Sequence, residues 1–334
     1  MSTNPLTTLH LTSKDLRQAA DLLRKGKLVV FPTETVWGLG ANALDAAACA
    51  RIFQAKGRPA DNPLIVHIAK TSDAETWALS IPKEARMLME AFWPGPLTLI
   101  LPKNPLIPDS VTGGQSTVGL RVPALELARQ LILEAGVPLA APSANPSGRP
   151  SPTHFSMAWE AMQGRVEAIL EGPSSLEGLE STIVSFSPLG VHYLRPGSIS
   201  REALQGVLGP SIPVLVGESS PLSAISVTPG SKYPHYRPHT PIRLFEHEEE
   251  LPFEVQNSSP LGILGVGLGL DSNRKWPVRW KIWNCVTLEE LARILFATFH
   301  QADLLNLGTL WVKRPQENGI GLAILNRLQK ATIN

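Results

Sequence analysis

Short apolar runs alternate with amphipathic stretches through the first two hundred residues, and no other feature of the chain restricts its fold as much. Residues 28–31, 64–68, 97–101, 118–122 and 138–141 each give four or five mostly apolar positions, enough for a buried strand and too few for a core helix. Between and around them, residues 14–25, 45–54, 82–92, 124–135 and 153–162 read as helices. In the first of these, Leu16, Ala19, Ala20, Leu22 and Leu23 form one stripe, with Ser13 before it and Gly26 as its stop. Such alternation predicts a sheet covered by helices. Three further runs, 168–171, 182–185 and 191–194, follow one another too closely for intervening helices, so the sheet is expected to be mixed. A helix at 200–208 closes this unit.

Residues 209–241 lose the periodicity and are rich in Pro, Gly and Ser, which reads as a linker. Its end nevertheless concentrates Lys232, Tyr233, His235, Tyr236, Arg237 and His239, groups that bind phosphates and stack on bases. From Ile242 a smaller unit begins, with a strand predicted at 261–266 and a long helix at 288–302. Gly265, Gly267 and Gly269 resemble a dinucleotide loop, but Leu270 stands where its third glycine belongs, so a buried strand and turn is the expectation.

Composition turns attention from the surface to a site. Thirty basic residues against 29 acidic ones leave a net charge of +1, which argues against a chain built all over for nucleic acid or anionic lipid. The longest stretch of low polarity, 261–270, is about half of what a bilayer requires, and the first twelve residues lack a basic, then apolar, leader. Cys49 and Cys285 have no metal-ligand spacing, so neither a disulfide framework nor a structural metal is indicated, and a reducing, cytoplasmic setting is expected. The prolines and glycines, 30 and 26, mark a protein of shaped loops.

Those loops carry groups of one type. No GxxxxGK[ST], HExxH or GxSxG pattern occurs. Instead, Thr33 and Thr35 offer hydroxyls after a strand, and Gly38 and Gly40 would let a ligand approach the backbone. Lys56, Arg58 and Asn62 place a point cation, a planar cation and an amide on one loop, which then enters a strand ending near His67. Thr117 and Arg121 bracket a strand, and a guanidinium there is costly unless a carboxylate or phosphate faces it. Ser143, Asn145 and Ser151 share a fourth loop; Ser143 lacks the surroundings of a nucleophile and reads as a binding serine. The fifth is Glu180-Ser181-Thr182, followed by Arg195. Together they predict a pocket for a polyanion and a small polar molecule.

The run Pro-Thr-Glu-Thr-Val-Trp-Gly-Leu-Gly at 32–40, Lys56-x-Arg58, Ser143-x-Asn145 and Ser-Thr-Ile-Val at 181–184 resemble the YrdC-like domain of threonylcarbamoyl-AMP synthases. The run at 229–238 and the unit behind it resemble the linker and smaller domain of that family's long form. The resemblance implies a YrdC-like catalytic domain at 10–208 with a twisted mixed sheet and a concave pocket, a linker or lid at 209–241, and a Rossmann-like α/β domain at 242–334. It implies synthesis of threonylcarbamoyl-AMP from L-threonine, bicarbonate or CO₂, and ATP, with Mg²⁺ riding mainly on the phosphates and no metal site of the protein itself. The product would serve the threonylcarbamoyladenosine modification of tRNA, with the tRNA threonylcarbamoyl transferase and tRNA as candidate partners.

Residue by residue, the resemblance assigns Thr35, His67, Arg121, Ala141 and Ser181 to threonine and its carbamate. It assigns Lys56, Arg58, Asn62, Thr117, Ser143, Asn145, Ser151, Arg195 and Tyr236 to ATP, with Tyr236 and Lys232 in the lid. No side chain is expected to act as a covalent catalyst. Trp37 stands where the family has Tyr, and Ser231 where its linker has Met. Two other readings are a double-stranded RNA or tRNA binder without chemistry and a hydrogenase-maturation carbamoyl adenylator. The first would spread its cations over an extended face; the second would need cysteines that are absent.

Overall fold

The computed structural model describes residues 6–216, 235–252, 260–268 and 280–332. In chain order the first unit contributes β1 (Leu9–Leu11), β2 (Val29–Phe31), β3 (Gly38–Asn42), β4 (Ile65–His67), β5 (Leu97–Pro102), β6 (Thr117–Arg121), β7 (Leu139–Ala140), β8 (Ala168–Leu170), β9 (Thr182–Ser187), β10 (Gly190–Arg195) and β11 (Val214–Val216). They form one sheet in the order β1-β8-β2-β3-β7-β4-β6-β5-β9-β10-β11. Pairing is mixed: β4 and β6 run parallel, whereas β3 and β7, β5 and β6, and β9 and β10 run antiparallel. Its helices are α1 (Leu16–Arg24), α2 (Ala46–Lys56), α3 (Ala74–Trp77), α4 (Lys83–Phe92), α5 (Asp109–Thr112), α6 (Glu126–Ala135), α7 (Phe155–Met162) and α8 (Arg201–Leu208).

The three closely spaced runs do not lie side by side. β9 and β10 form a hairpin, but β8 inserts between β1 and β2 at the opposite end of the sheet. Spacing reveals that no helix intervenes, not which neighbour a strand finds. In this sheet β1, β3 and β11 have no counterpart among the predicted strands, and β3 begins inside the stretch 32–40 that reads as a loop. β11 pairs in parallel with β10, so the stretch read as linker begins by extending the first sheet.

The second unit is a four-stranded parallel sheet of β12 (Ile242–Phe245), β13 (Leu261–Val266), β14 (Lys281–Cys285) and β15 (Thr309–Lys313), in the order β12-β15-β13-β14. It carries α9 (Leu288–Leu304) and α10 (Gly319–Thr332). The glycine run begins as expected, as buried β13 followed by a turn with Gly267 at φ 50°; Gly269 lies outside the described residues. No described helix is long and apolar enough to cross a membrane.

The two units share a core. Leu291, Leu295, Phe296 and Phe299 of α9 and Ile324 and Leu328 of α10 cluster with Val36, Met157, Leu179 and Tyr236 of the pocket side. At Gly178, with φ 70°, a Cβ would lie 2.4 Å from both the Ala292 carbonyl and Arg293 Cα. Gly178→Ala is therefore expected to cost about 1–3 kcal/mol through overpacking and backbone strain. The midpoint of denaturant unfolding checks this; an unchanged midpoint would contradict the close approach of α9.

Candidate functional site

The pocket forms where loops leave the ends of β2, β4, β6 and β7, and the sheet register sets its floor. His67 and Arg121 are partners on the parallel strands β4 and β6. Ala141, just past β7, donates its N–H to the Ile65 carbonyl at 2.9 Å, and Gly38 and Ser143 bridge the 141–145 loop to β3. Gly38 does line the cavity. Gly40 has a different use: a Cβ there would come within 2.8 Å of the Phe31 ring, so its bare backbone accommodates β2, not a ligand.

Helix α2 delivers the first cations. Asp45 caps it, accepting from Ala47 and Ala48 at 2.9 and 3.1 Å, and Gly57 ends it at φ 63°. Lys56 is thereby fixed on the last turn and Arg58 just beyond it. The Lys56 ammonium donates to the Ser143 and Asn145 carbonyls. Burial, then Arg58, pulls its pKa well below that of an ordinary lysine, against the pull of Glu180. The Arg58 guanidinium donates to the Asn62 and Pro63 carbonyls at 3.3 and 3.0 Å. Burial lowers its pKa to about 10, opposed by Tyr236 and reinforced by Arg195.

Two carboxylates hold the wall together. Arg121 donates to Glu34 Oε1 at 2.6 Å, to the Thr35 hydroxyl at 2.9 Å and to the Gly95 carbonyl at 3.2 Å. This is the carboxylate that a guanidinium inside an apolar strand requires. Glu180 accepts from Ser151 Oγ at 2.6 Å and from Arg327 Nε at 2.8 Å. Burial raises the Glu180 pKa, but Arg327, Arg195 and the serine outweigh it and hold the carboxyl at about 2. Arg195 donates twice to the Ser181 carbonyl, at 3.0 and 2.9 Å, and once to its hydroxyl at 3.1 Å. Its pKa is about 10, lowered first by burial, with Tyr236 opposing and Arg327 adding to it.

The remaining side is closed by residues 235–240. Asp303 on α9 accepts the His239 and Thr240 N–H groups at 2.9 and 2.7 Å, and Arg237 donates its N–H to Gly148 at 2.7 Å. Tyr236, at φ 67°, stacks on Phe296 with centroids 5.2 Å apart. About 610 Å³ of space lies between these walls, open solvent at its mouth included.

Of the residues singled out from sequence, Thr35, Arg58, His67, Arg121, Ala141, Ser143, Ser181, Arg195 and Tyr236 line this one cavity. Lys56, Asn62, Asn145 and Ser151 are buried behind the wall; the Oδ1 and Nδ2 atoms of Asn62 and the Oδ1 of Asn145 have no hydrogen-bond partner. Thr117 stands apart, at the far end of β6 opposite Pro102. Lys232 and Ser231 lie outside the described residues. Trp37 is fully buried beside Phe155 and does not line the cavity, so replacing Tyr there changes the core. Arg327 is the member that sequence reasoning missed. Its signal was present: a guanidinium on the apolar face shared by Ile324, Leu328 and Ala331.

Residues 21–197 match the family described as "Telomere recombination", and residues 199–332 match "Threonylcarbamoyl-AMP synthase, C-terminal domain". The chain is 42% identical over 328 residues to threonylcarbamoyl-AMP synthase from Pyrococcus abyssi, covering 95% of this chain and 94% of that protein. It is 40% identical over 329 residues to the Bacillus subtilis protein of the same name, covering 97% and 94%. The crystal structure of P. abyssi Sua5 complexed with L-threonine superposes with a TM-score of 0.86 at 38% identity, covering 97% of this chain and 98% of that one.

His67 generates a pH prediction. It is 4% exposed, its Nδ1 has no partner, and burial followed by Arg121 lowers its pKa to about 3. Below pH 6.5 the unfolded chain takes a proton here that the folded one refuses, so stability falls as pH drops from 6.5 toward 3. His67→Gln should remove about one proton from this dependence, or about 1.4 kcal/mol per pH unit. Unfolding free energies at pH 7, 6 and 5 check it; identical slopes in both proteins would refute it.

Proposed function

The chain belongs to the threonylcarbamoyl-AMP synthase family, and we propose that the cavity walled by Arg58, Arg121 and Arg195 is where it joins L-threonine, CO₂ or bicarbonate, and ATP. The observation that carries this reading is the burial of these cations: Arg58 is 9%, Arg195 6% and Arg121 4% exposed, all facing one cavity. A nucleic-acid surface would present such groups outward, along an extended face. Burial and mutual repulsion lower the pKa of Lys56, Arg58 and Arg195, and a triphosphate relieves both the desolvation and the repulsion.

The chemistry needs position and charge. Threonine's amine attacks the carbon of CO₂, an N–C bond forms, and loss of a proton leaves a carbamate. A carbamate oxygen then attacks the α-phosphorus while the bond to the β-phosphate breaks and pyrophosphate departs. Negative charge moves onto phosphate oxygens, which fixed guanidinium donors stabilise. Arg121, oriented by Glu34 and Thr35, suits the threonine carboxylate and carbamate. Neutral His67 beside it offers a hydrogen-bonding nitrogen without further positive charge. Arg58, Ser143, Arg195 and Tyr236 suit the nucleotide, with Lys56, Asn62, Asn145 and Ser151 supporting them from behind. Thr117 has the weakest support, since it lies away from the cavity. Holding the reactants together can supply roughly 7–11 kcal/mol of barrier reduction.

The wall's two carboxylates are each committed to a guanidinium, so the donor set suits Mg²⁺ that enters on the triphosphate and is held there by phosphate oxygens and water. Mg²⁺ carried in that way would supply charge neutralisation at the phosphates. Tyr236 and the strap around it shield one side of the cavity from water, which slows decomposition of a carbamate held there. The product is a mixed anhydride that water destroys, which favours transient contact with the tRNA threonylcarbamoyl transferase.

Pyrophosphate release from ATP should require both threonine and bicarbonate; release with either omitted would contradict adenylate synthesis. Arg58→Ala should lower kcat/KM for ATP roughly tenfold to a hundredfold, the worth of one charge-assisted contact. A folded variant with full activity would remove this loop from the nucleotide site.

A further inference from the structure

Arg327 belongs to α10 in the C-terminal unit, yet its fully buried guanidinium reaches into the wall of the pocket. Its Nε donates to Glu180 Oε2 and one terminal nitrogen to the Pro196 carbonyl, both at 2.8 Å. That same nitrogen also donates to Asn326 Oδ1 at 3.1 Å, and the other reaches the Glu180 carbonyl at 3.4 Å. The guanidinium carbon stands 5.6 Å from the centre of the Tyr236 ring. One side chain therefore touches the loop before β9, the loop after β10 and the strap that closes the cavity.

What Arg327 grips is connected directly to the proposed nucleotide groups. The second oxygen of Glu180 holds the Ser151 hydroxyl at 2.6 Å. The next residue, Ser181, presents the carbonyl that receives two N–H groups of Arg195. Pro196 follows Arg195 in the chain. A displacement of Glu180 together with Ser181 would thus misdirect Arg195 and release Ser151 at once. An arginine serving only to pack α10 would need none of these partners, because a leucine would continue the stripe of Ile324 and Leu328 and avoid the desolvation of a guanidinium. Lys330, one turn further along, lies in the same field: burial, then Arg327 and Arg195, lowers its pKa to about 8.

We propose that Arg327 is a positioning residue for adenylate synthesis, fixing Glu180 and backing Tyr236 so that the C-terminal unit completes the nucleotide end of the pocket within the same chain. This rests on the reading of Arg58, Arg195 and Ser151 as nucleotide groups. It predicts that losing Arg327 weakens ATP recognition more than threonine recognition, because Glu34 and Thr35 hold Arg121 independently and only Ser181 is shared with the disturbed loop.

The test uses full-length protein and steady-state pyrophosphate release, with ATP and threonine varied separately. Arg327→Met is expected to raise KM for ATP at least tenfold and KM for threonine by a several-fold smaller factor. Glu180→Gln should reproduce that pattern, and the double variant should be no worse than the more affected single variant. Arg327→Lys keeps the charge but replaces the planar fork, whose separate nitrogens reach Glu180 and Pro196, with a single nitrogen, and should fall in between. A purely structural role lowers Tm and the amount of active enzyme with both KM values unchanged, and that result overturns the proposal. Multiplying effects in the double variant, or failure of every substitution at 327 to fold, would also overturn it, since the pair would then act independently or belong to the core. Arg58→Ala measured alongside separates the two levels. If it raises KM for ATP while folded Arg327 variants do not, only the present inference fails. If neither changes KM for ATP, the nucleotide reading itself fails.

Discussion

Placing several guanidinium groups and an ammonium around one buried cavity is the constraint from which the rest of the architecture follows. Lys56, Arg58, Arg121, Arg195 and Arg327 are each less than a tenth exposed. Their repulsion and lost hydration must be offset within the protein until an anion arrives. Glu34 and Glu180 provide the offset, one for each end of the pocket. Glu34 takes Arg121, and Glu180 takes Arg327 while holding Ser151. Backbone carbonyls do the rest, with Ser143, Asn145, Asn62, Pro63 and Ser181 accepting from Lys56, Arg58 and Arg195. Cations held in this way are oriented before ligand binds, so little reorganisation is needed when phosphate charge develops.

The mixed sheet makes that arrangement possible. Parallel pairing of β4 with β6 brings His67 and Arg121 to the same end, and antiparallel pairing of β7 with β3 and β4 returns the 141–145 loop over them. The C-terminal unit then seals the opposite side through α9, α10 and the strap at 235–240. Because Tyr236, Val36 and Leu179 share its hydrophobic cluster, the second unit is continuous with the cavity wall.

Much of this was legible in the chain, for identifiable reasons. The alternation of apolar runs with amphipathic stretches located β2, β4, β5, β6 and most helices, since period and length report local burial. Arg121 announced a buried partner by standing in an apolar strand. Other features left weaker traces. β1 and β11 are three residues each and gain their status only from the neighbours β8 and β10. Gly40 looked like a place for ligand and proved to be a place for Phe31. Trp37 sat inside a site motif and proved to be core.

The sequence by itself determined the alternating α/β architecture, the loops that carry cations and hydroxyls, and the family, because periodicity and motif spacing are properties of neighbouring residues. Only the tertiary structure decided that β8 crosses to the far end of the sheet, that Glu34 faces Arg121, and that Arg327 reaches Glu180 from 147 residues away. Those outcomes rest on strand pairing and on the matching of buried charges, and both depend on distances in space that the order of residues does not contain.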